Sequence, residues 1–277
     1  MTSTTQSTAA APLLKVENLG KNFGGLRAVN NMNLELLPGD LAGLIGPNGA
    51  GKTTVFNLIT GVYLPTDGTI TFNGQNIGGL APHVINQMGI ARTFQNIRLF
   101  PSLTVLENVC IAYHSHAGYS MQDAVLRNGN FEAKEKELLE KAQDFLSIFH
   151  LEDRQGEVAR NLPYGEQRRL EIARALAAEP TLLCLDEPAA GMNPAESMAL
   201  MDLIHFIRDR FKLTILLIEH QMRVVMGVCE KITVMDFGEM IAYGPPQEIQ
   251  SNPRVIEAYL GRGAAELSEK LRRSKAQ

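Results

Sequence analysis

The run Gly46-Pro47-Asn48-Gly49-Ala50-Gly51-Lys52-Thr53-Thr54 fits the pattern G-x-x-x-x-G-K-[ST]. Its glycines let successive backbone N–H groups converge on phosphate oxygens at a helix N-terminus, where the helix dipole also favours an anion. Lys52 adds a point charge for β- and γ-phosphates, and Thr53 offers a hydroxyl to Mg²⁺. The chemistry implied is the handling of a nucleoside triphosphate. A second group follows in Leu182-Leu-Cys-Leu-Asp186-Glu187-Pro188, an apolar strand ending in two acids. A carboxylate at the C-terminal end of a parallel strand faces the ligand crevice. Asp186 can therefore complete the Mg²⁺ shell that Thr53 begins, and Glu187 can accept a hydrogen bond from the water that attacks the γ-phosphate. The strand Thr214-Ile-Leu-Leu-Ile218 also ends in polar residues, Glu219 and His220, which sets His220 beside Glu187 at the same edge, able to contact the γ-phosphate.

These residues need elements to carry them. Leu41-Ala42-Gly43-Leu44-Ile45 reads as a buried strand before the loop, and Lys52 to Ile59, free of Gly and Pro, as the helix after it. Leu13 to Leu19, Met32 to Leu37 and Thr69 to Phe72 alternate apolar and polar residues, which predicts an antiparallel sheet near the N-terminus. Helical patterning covers Thr104 to Tyr113, Phe131 to Phe149 and Glu166 to Leu176, a lobe inserted over about 96–177. Strand and helix then alternate: Thr181 to Leu185, Ala195 to Arg210, Leu213 to Ile218, Met222 to Cys229, Lys231 to Met235. The fold expected is α/β, a phosphate-binding core with a mostly parallel sheet, an N-terminal antiparallel β subdomain and an inserted helical lobe.

With 277 residues, 45% of them hydrophobic, the chain can bury a sizeable core, and a net charge of −4 gives no overall basic field for nucleic acid. Cys110, Cys184 and Cys229 are odd in number and lack C-x-x-C spacing, which suits a reduced cytosolic compartment and small buried apolar side chains. Residues 1–12 read as a disordered tail, 13–262 as the folded unit and 263–277 as a basic tail. His114 to Asn130 is a polar stretch that reads as a mobile insertion, and His114 and His116 there lack the further ligands a metal site needs. No apolar stretch is long enough to span a membrane, so a membrane role would come through a partner.

The ordered set of the phosphate loop, Gln95, Leu162-Pro-Tyr-Gly-Glu-Gln167, Leu182 to Pro188 and His220 resembles the nucleotide-binding subunit of ABC transporters. The resemblance spans roughly residues 13 to 260. It implies a head-to-tail dimer with two Mg²⁺-bound ATP molecules, each sandwiched between the phosphate loop of one subunit and the signature loop of the other. It also implies that Phe23 stacks on adenine, its alternative being a core Phe beside Gly24-Gly25, and that Gln95 touches Mg²⁺ or the attacking water and hinges the helical lobe. Tyr164, Gly165 and Glu166 would meet the neighbour's nucleotide.

Two positions depart from the family pattern. The usual Leu-Ser-Gly-Gly-Gln becomes Leu162-Pro163-Tyr164-Gly165-Glu166, which removes the serine hydroxyl, and Asn193 stands where Asp is common. Ala91 to Phe100, the stretch ending at Arg174 and Ala258-Tyr-Leu-Gly261 most resemble the ATP-binding subunit of branched-chain amino-acid importers. The partners so implied are a second ATPase subunit, identical or different, two integral membrane permease subunits and, indirectly, a periplasmic binding protein, at the cytoplasmic face of the inner membrane. Arg98, Leu99 and Phe100 are candidates for the surface meeting the membrane subunit, internal packing being the alternative for the last two. An ATPase of the same family for another cargo, such as lipopolysaccharide export, and a soluble phosphate-loop kinase are the competing readings.

Overall fold

The computed structural model describes residues 11–113, 121–126 and 128–260. Two sheets organise it. The first is antiparallel, built from β1 (Leu14–Phe23), β2 (Leu26–Leu36), β4 (Asp67–Phe72) and β5 (Gln75–Asn76) in the order β2-β1-β4-β5. The second contains β3 (Leu41–Ile45), β6 (Ile90–Arg92), β7 (Leu182–Asp186), β8 (Thr214–Ile218), β9 (Lys231–Asp236) and β10 (Glu239–Gly244) in the order β10-β9-β3-β8-β7-β6. Its strands are parallel from β9 through β6, and β10 joins antiparallel at the edge.

The central parallel strands β3, β7 and β8 are buried along their whole length, and alternate residues go to opposite sides. Leu183, Leu185, Ile215 and Leu217 join one apolar cluster, while Leu182, Cys184, Leu216 and Ile218 join another. The second cluster holds the antiparallel sheet and α1 (Lys52–Ile59) through Val16, Val29, Phe56 and Phe72; α2 (Pro82–Gln87) adds Ile85. The first cluster gathers the helices between β6 and β7, through Val105 and Val109 of α3 (Val105–Tyr113), Phe145 and Leu146 of α5 (Gly129–Ile148), and Leu170 and Ile172 of α6 (Tyr164–Leu176). Helix α4 (Met121–Leu126) precedes α5. On the same side lie α7 (Pro194–Phe211), α8 (Met222–Val228), α9 (Pro246–Ser251) and α10 (Pro253–Leu260), contributing Leu200, Val224, Ile249 and Val255.

Three expectations change, and one alternative, a core Phe23, is set aside. Strands β6 and β10 were not anticipated: β6 is three residues long, and β10 is mostly solvent-facing, so neither carries a strong apolar period. Helix α6 starts at Tyr164, two residues before the predicted Glu166, because Pro163 takes an extended N-cap conformation (φ −55°, ψ 151°) and the turn begins at once. Within the stretch read as an insertion, residues 121–126 are helical; His114, His116 and residues 261–277 lie outside the described residues. Phe23 is not a core residue, being 41% exposed. No described helix is long and apolar enough to cross a membrane.

Candidate nucleotide-hydrolysing site

The loop between β3 and α1 needs its glycines. Gly46 (φ +152°) is so close to the Met235 carbonyl that no Cβ would fit, and at Gly51 (φ +99°) a Cβ would lie 2.6 Å from the Ala28 carbonyl oxygen. Lys52, buried, folds its ammonium back to donate to the carbonyls of Gly46 (2.7 Å) and Pro47 (2.9 Å). Burial pushes its pKa below the ordinary lysine value, while Glu187 and Asp186 pull it the other way. A cleft of about 510 Å³ opens here, lined by residues 26–28 of the β1–β2 hairpin, residues 48–54 of the loop, Gln95, Glu187 and Phe237.

The two acids at the end of β7 are held differently. Asp186 is buried and its Oδ2 accepts from Arg92 Nη2 at 2.6 Å. Arg92 also donates to Asn57 Oδ1 (2.6 Å) and Thr60 Oγ1 (3.2 Å) of the helix following the phosphate loop, and its guanidinium sits between the rings of Phe56 and Phe94. Glu187 has φ +48°, a strained conformation for a side-chain-bearing residue, and is pinned by its own N–H to the Ile218 carbonyl (2.9 Å). Gln95 Nε2 donates to Glu187 Oε2 at 2.9 Å, and His220 Nδ1 lies 3.5 Å from the same oxygen. Gln95 and His220 therefore converge on one oxygen of Glu187, beside the cleft.

Several supporting residues were not legible. In the sequence Arg92 offers only the signal of an arginine closing an apolar Ile-Ala pair before Gln95. Glu219 reads there only as a polar strand end. It is fully buried and accepts from the backbone N–H groups of Ala189 (2.8 Å), His220 (2.9 Å) and Gln221 (3.2 Å), tying the loop after Glu187 to the end of β8. Phe237, 88% exposed with φ +44° at the β9–β10 turn, borders the cleft, and nothing in the sequence pattern pointed to it.

The remaining predicted residues are placed as follows. Phe23 makes an edge-to-face pair with Tyr63 (5.2 Å), with the Lys21 ammonium 5.1 Å from its ring. It sits at the tip of the hairpin whose next strand begins at the cleft-lining Leu26, but it is not itself in the cleft wall. Tyr164, Gly165 and Glu166 form the first turn of α6 and do not line the cleft either. The Glu166 carboxylate approaches Arg154 (3.5 Å) and Arg169 (3.8 Å). Asn193 caps α7, accepting from the N–H groups of Ala195 and Glu196, while Glu196 returns a bond to the Asn193 N–H. Among Arg98, Leu99 and Phe100, Arg98 stacks on Phe94 (4.3 Å), Phe100 is 43% exposed, and Leu99 packs on the core.

Near the cleft the donors suited to a metal are oxygens: the exposed Thr53 hydroxyl, the Asp186 oxygen that Arg92 leaves, and the Gln95 amide. No group of three or more His, Cys, Asp or Glu that could hold a metal exists among the described residues. Such a set, with a single carboxylate among its oxygens, fits Mg²⁺ brought with substrate phosphates, since that ion is held through one or two carboxylates and completes its octahedron with phosphate and water.

A glycine-spaced phosphate loop with two strand-end carboxylates and a histidine defines a phosphate-loop ATPase cassette. The family described as ABC transporter matches residues 29–190, and the chain belongs to it. The family described as branched-chain amino acid ATP-binding cassette transporter matches residues 239–265. The chain is 48% identical over 250 residues to the high-affinity branched-chain amino acid transport ATP-binding protein LivG of Escherichia coli K12, covering 90% of this chain and 98% of that one. It is 34% identical to the lipopolysaccharide export system ATP-binding protein LptB of the same organism, covering 90% and 97%. Its fold is similar to the ADP conformation of MJ1267, an ATP-binding cassette of an ABC transporter, with TM-score 0.79, 31% identity and coverage of 91% and 100%.

Proposed function

We propose that this chain is the ATP-hydrolysing subunit of a branched-chain amino-acid importer, the cassette spanning 13–262 with its helical lobe over 96–177. Glu187 accepts the proton-bearing side of the attacking water, with Gln95 and His220 fixing its Oε2 from two directions. Lys52 leaves the Gly46 and Pro47 carbonyls for the β- and γ-phosphates, and the N–H groups of the loop cradle them. Mg²⁺ bound with ATP, held by Thr53, Asp186 and Gln95, would neutralise phosphate charge. Phe23, backed by Tyr63, offers an aromatic face for adenine.

The separation of Tyr164, Gly165 and Glu166 from the cleft supports a two-subunit site. On this reading the first turn of α6, with the Gly165 N–H and the helix dipole, completes the nucleotide site of a second cassette, identical or different. The pair would work on two integral membrane permease subunits at the cytoplasmic face of the inner membrane, supplied indirectly by a periplasmic binding protein.

The match of residues 239–265 to the branched-chain cassette family carries the choice of cargo, and the higher identity to LivG than to LptB agrees with it. The test is to extract the chain with its membrane partners, reconstitute them in vesicles, and add a periplasmic binding protein loaded with leucine, isoleucine or valine. Stimulated ATP hydrolysis and uptake support the reading; stimulation by lipopolysaccharide alone, or a monomer that phosphorylates a small-molecule acceptor, overturns it.

A further inference from the structure

Helix α6 carries a buried ion pair outside the nucleotide cleft. Arg168 is fully buried and bonds to Glu171 at 2.8 Å, with Glu171 also inaccessible to solvent. Together they bracket the main chain that presents Gln95. Arg168 Nη1 donates to the Phe94 carbonyl (2.7 Å) and Nη2 to the Gln95 carbonyl (2.8 Å). Glu171 Oε1 accepts from the N–H groups of Phe94 (3.4 Å) and Arg98 (3.0 Å). Donors meet carbonyls and acceptors meet amides, so the segment is gripped from α6 in one register.

Arg168 Nη2 has a further partner, the Tyr164 hydroxyl at 3.0 Å, and its Nε is buried without one. Tyr164 stands on the first turn of α6, 45% exposed, where the usual family motif has glycine. Its ring lies against Gly191, where an added Cβ would sit 3.4 Å from Tyr164 Cε1. Gly191 is four residues past Glu187 in the loop that Glu219 ties down through Ala189. The contacts close a circuit: Glu187 to Gln95 side chain, Gln95 carbonyl to Arg168, Arg168 to Tyr164, Tyr164 to Gly191 and back along the loop to Glu187.

We propose that Arg168 is a positioning residue for Gln95, and that Tyr164 ties its grip to the signature turn, so that contact made by a neighbouring cassette's nucleotide at that turn is felt at Glu187 of the same chain. The inference rests on the role given to Gln95 above. A guanidinium shared among two carbonyls, a carboxylate and a hydroxyl cannot shift for one partner without loosening the others. Of these partners Gln95 and Tyr164 are exposed, and Tyr164 is the one on the signature turn, outside this chain's own cleft, so it is where a neighbouring cassette's ligand can act on the set.

The experiment is a double-mutant cycle in the assembled transporter, following turnover of radiolabelled ATP over a range of concentrations. Arg168→Met would strip the buried Glu171 of its partner and endanger the fold, so the main variant is Tyr164→Phe, which keeps the ring on Gly191 and deletes one oxygen. Tyr164→Phe is expected to lower kcat about fivefold, the worth of one hydrogen bond, with KM for ATP within about twofold. In a Gln95→Ala background the same change should do nothing further, and Arg168→Lys, which keeps the charge but not the fork, should fall between the parent and Gln95→Ala. Equal effects of Tyr164→Phe with and without Gln95, or a raised KM at unchanged kcat, overturn the relay while leaving Gln95 its role. An undiminished kcat in Gln95→Ala alone removes that role, and the relay with it.

Discussion

The strand-end edge and the helical lobe each bury an arginine against a carboxylate, Arg92 with Asp186 at 2.6 Å and Arg168 with Glu171 at 2.8 Å. Both pairs satisfy the carboxylate with a forked cation, and both reach across to other elements. They differ in what the carboxylate is for. Asp186 lies beside the nucleotide cleft, and Arg92 takes one of its oxygens while anchoring itself to Asn57 and Thr60 behind the phosphate loop. Beyond Arg168, the hydrogen bonds Glu171 accepts come from backbone, the N–H groups of Phe94 and Arg98. On the proposed reading the edge uses its ion pair to aim a carboxylate at the ligand; the lobe's pair grips a chain segment. The edge is also held redundantly, by Gln95, His220, Glu219 and the sheet itself, whereas the segment 94–98 depends on α6.

The largest effect expected is at the edge. Glu187→Gln should lower ATP turnover about a thousandfold, within the usual range for a general base, while ATP stays bound and the paired cassettes stay closed. Turnover and sizing of the ATP-bound complex check both halves. Loss of less than about tenfold would move the base elsewhere and dissolve the distinction between edge and lobe.

The buried pairs come next. Removing one partner of such a pair strands a buried charge, typically at about 3–5 kcal/mol. Arg92→Met and Arg168→Met should each destabilise the chain on that scale in urea. Mg²⁺ with ATP should restore much of the loss in Arg92→Met, since a cation arrives beside Asp186, and none in Arg168→Met beyond what the parent gains. Equal rescue of the two variants would mean the pairs are alike.

The edge was largely legible in the sequence because each part is local: a glycine-spaced loop after an apolar strand, two acids at one strand end, a histidine at the next. The parallel order of β3, β7 and β8 then brings those ends together without further information. What fixes them was not legible. Arg92 and Asp186 are 94 positions apart, and Arg168 reaches Gln95 across 73. No spacing within a helix or strand announces such pairs. Arg168 reads as one more charged residue in a Glu/Arg-rich helix, although it is among the largest fully buried side chains. The edge strand β10 was hidden for the opposite reason, since its exposed residues show no buried face.

A smaller effect concerns the signature turn. Pro163 supplies α6 with an extended N-cap but no side-chain acceptor for the free N–H groups of the first turn. Pro163→Ser should both cap the helix, worth about 1 kcal/mol, and offer a hydroxyl toward a neighbour's γ-phosphate. Turnover or nucleotide affinity in the assembled complex should improve by several-fold. If neither changes, the lobe's contribution to the shared site does not run through that position.

The smallest effect separates the two regions by their own thiols. Cys184 lies in β7 and Cys229 follows α8, both buried, whereas Cys110 lies half-buried in α3 of the lobe. Burial pushes Cys184 and Cys229 up to about 12 and Cys110 up to about 11, with Glu135 and Glu107 adding to the shift at Cys110. Only the thiolate reacts, so alkylation of the native chain should quicken about tenfold per pH unit and show no levelling between pH 8 and 10, still below every one of these values. Cys110 should react first, because α3 can open locally while β7 is an interior strand of the sheet, paired on both sides, and needs far wider unfolding. Mass spectrometry of chain quenched at successive times reads the order. Simultaneous labelling of Cys110 and Cys184 would show that lobe and edge open as one unit, and the redundancy assigned to the edge would then belong to the whole cassette.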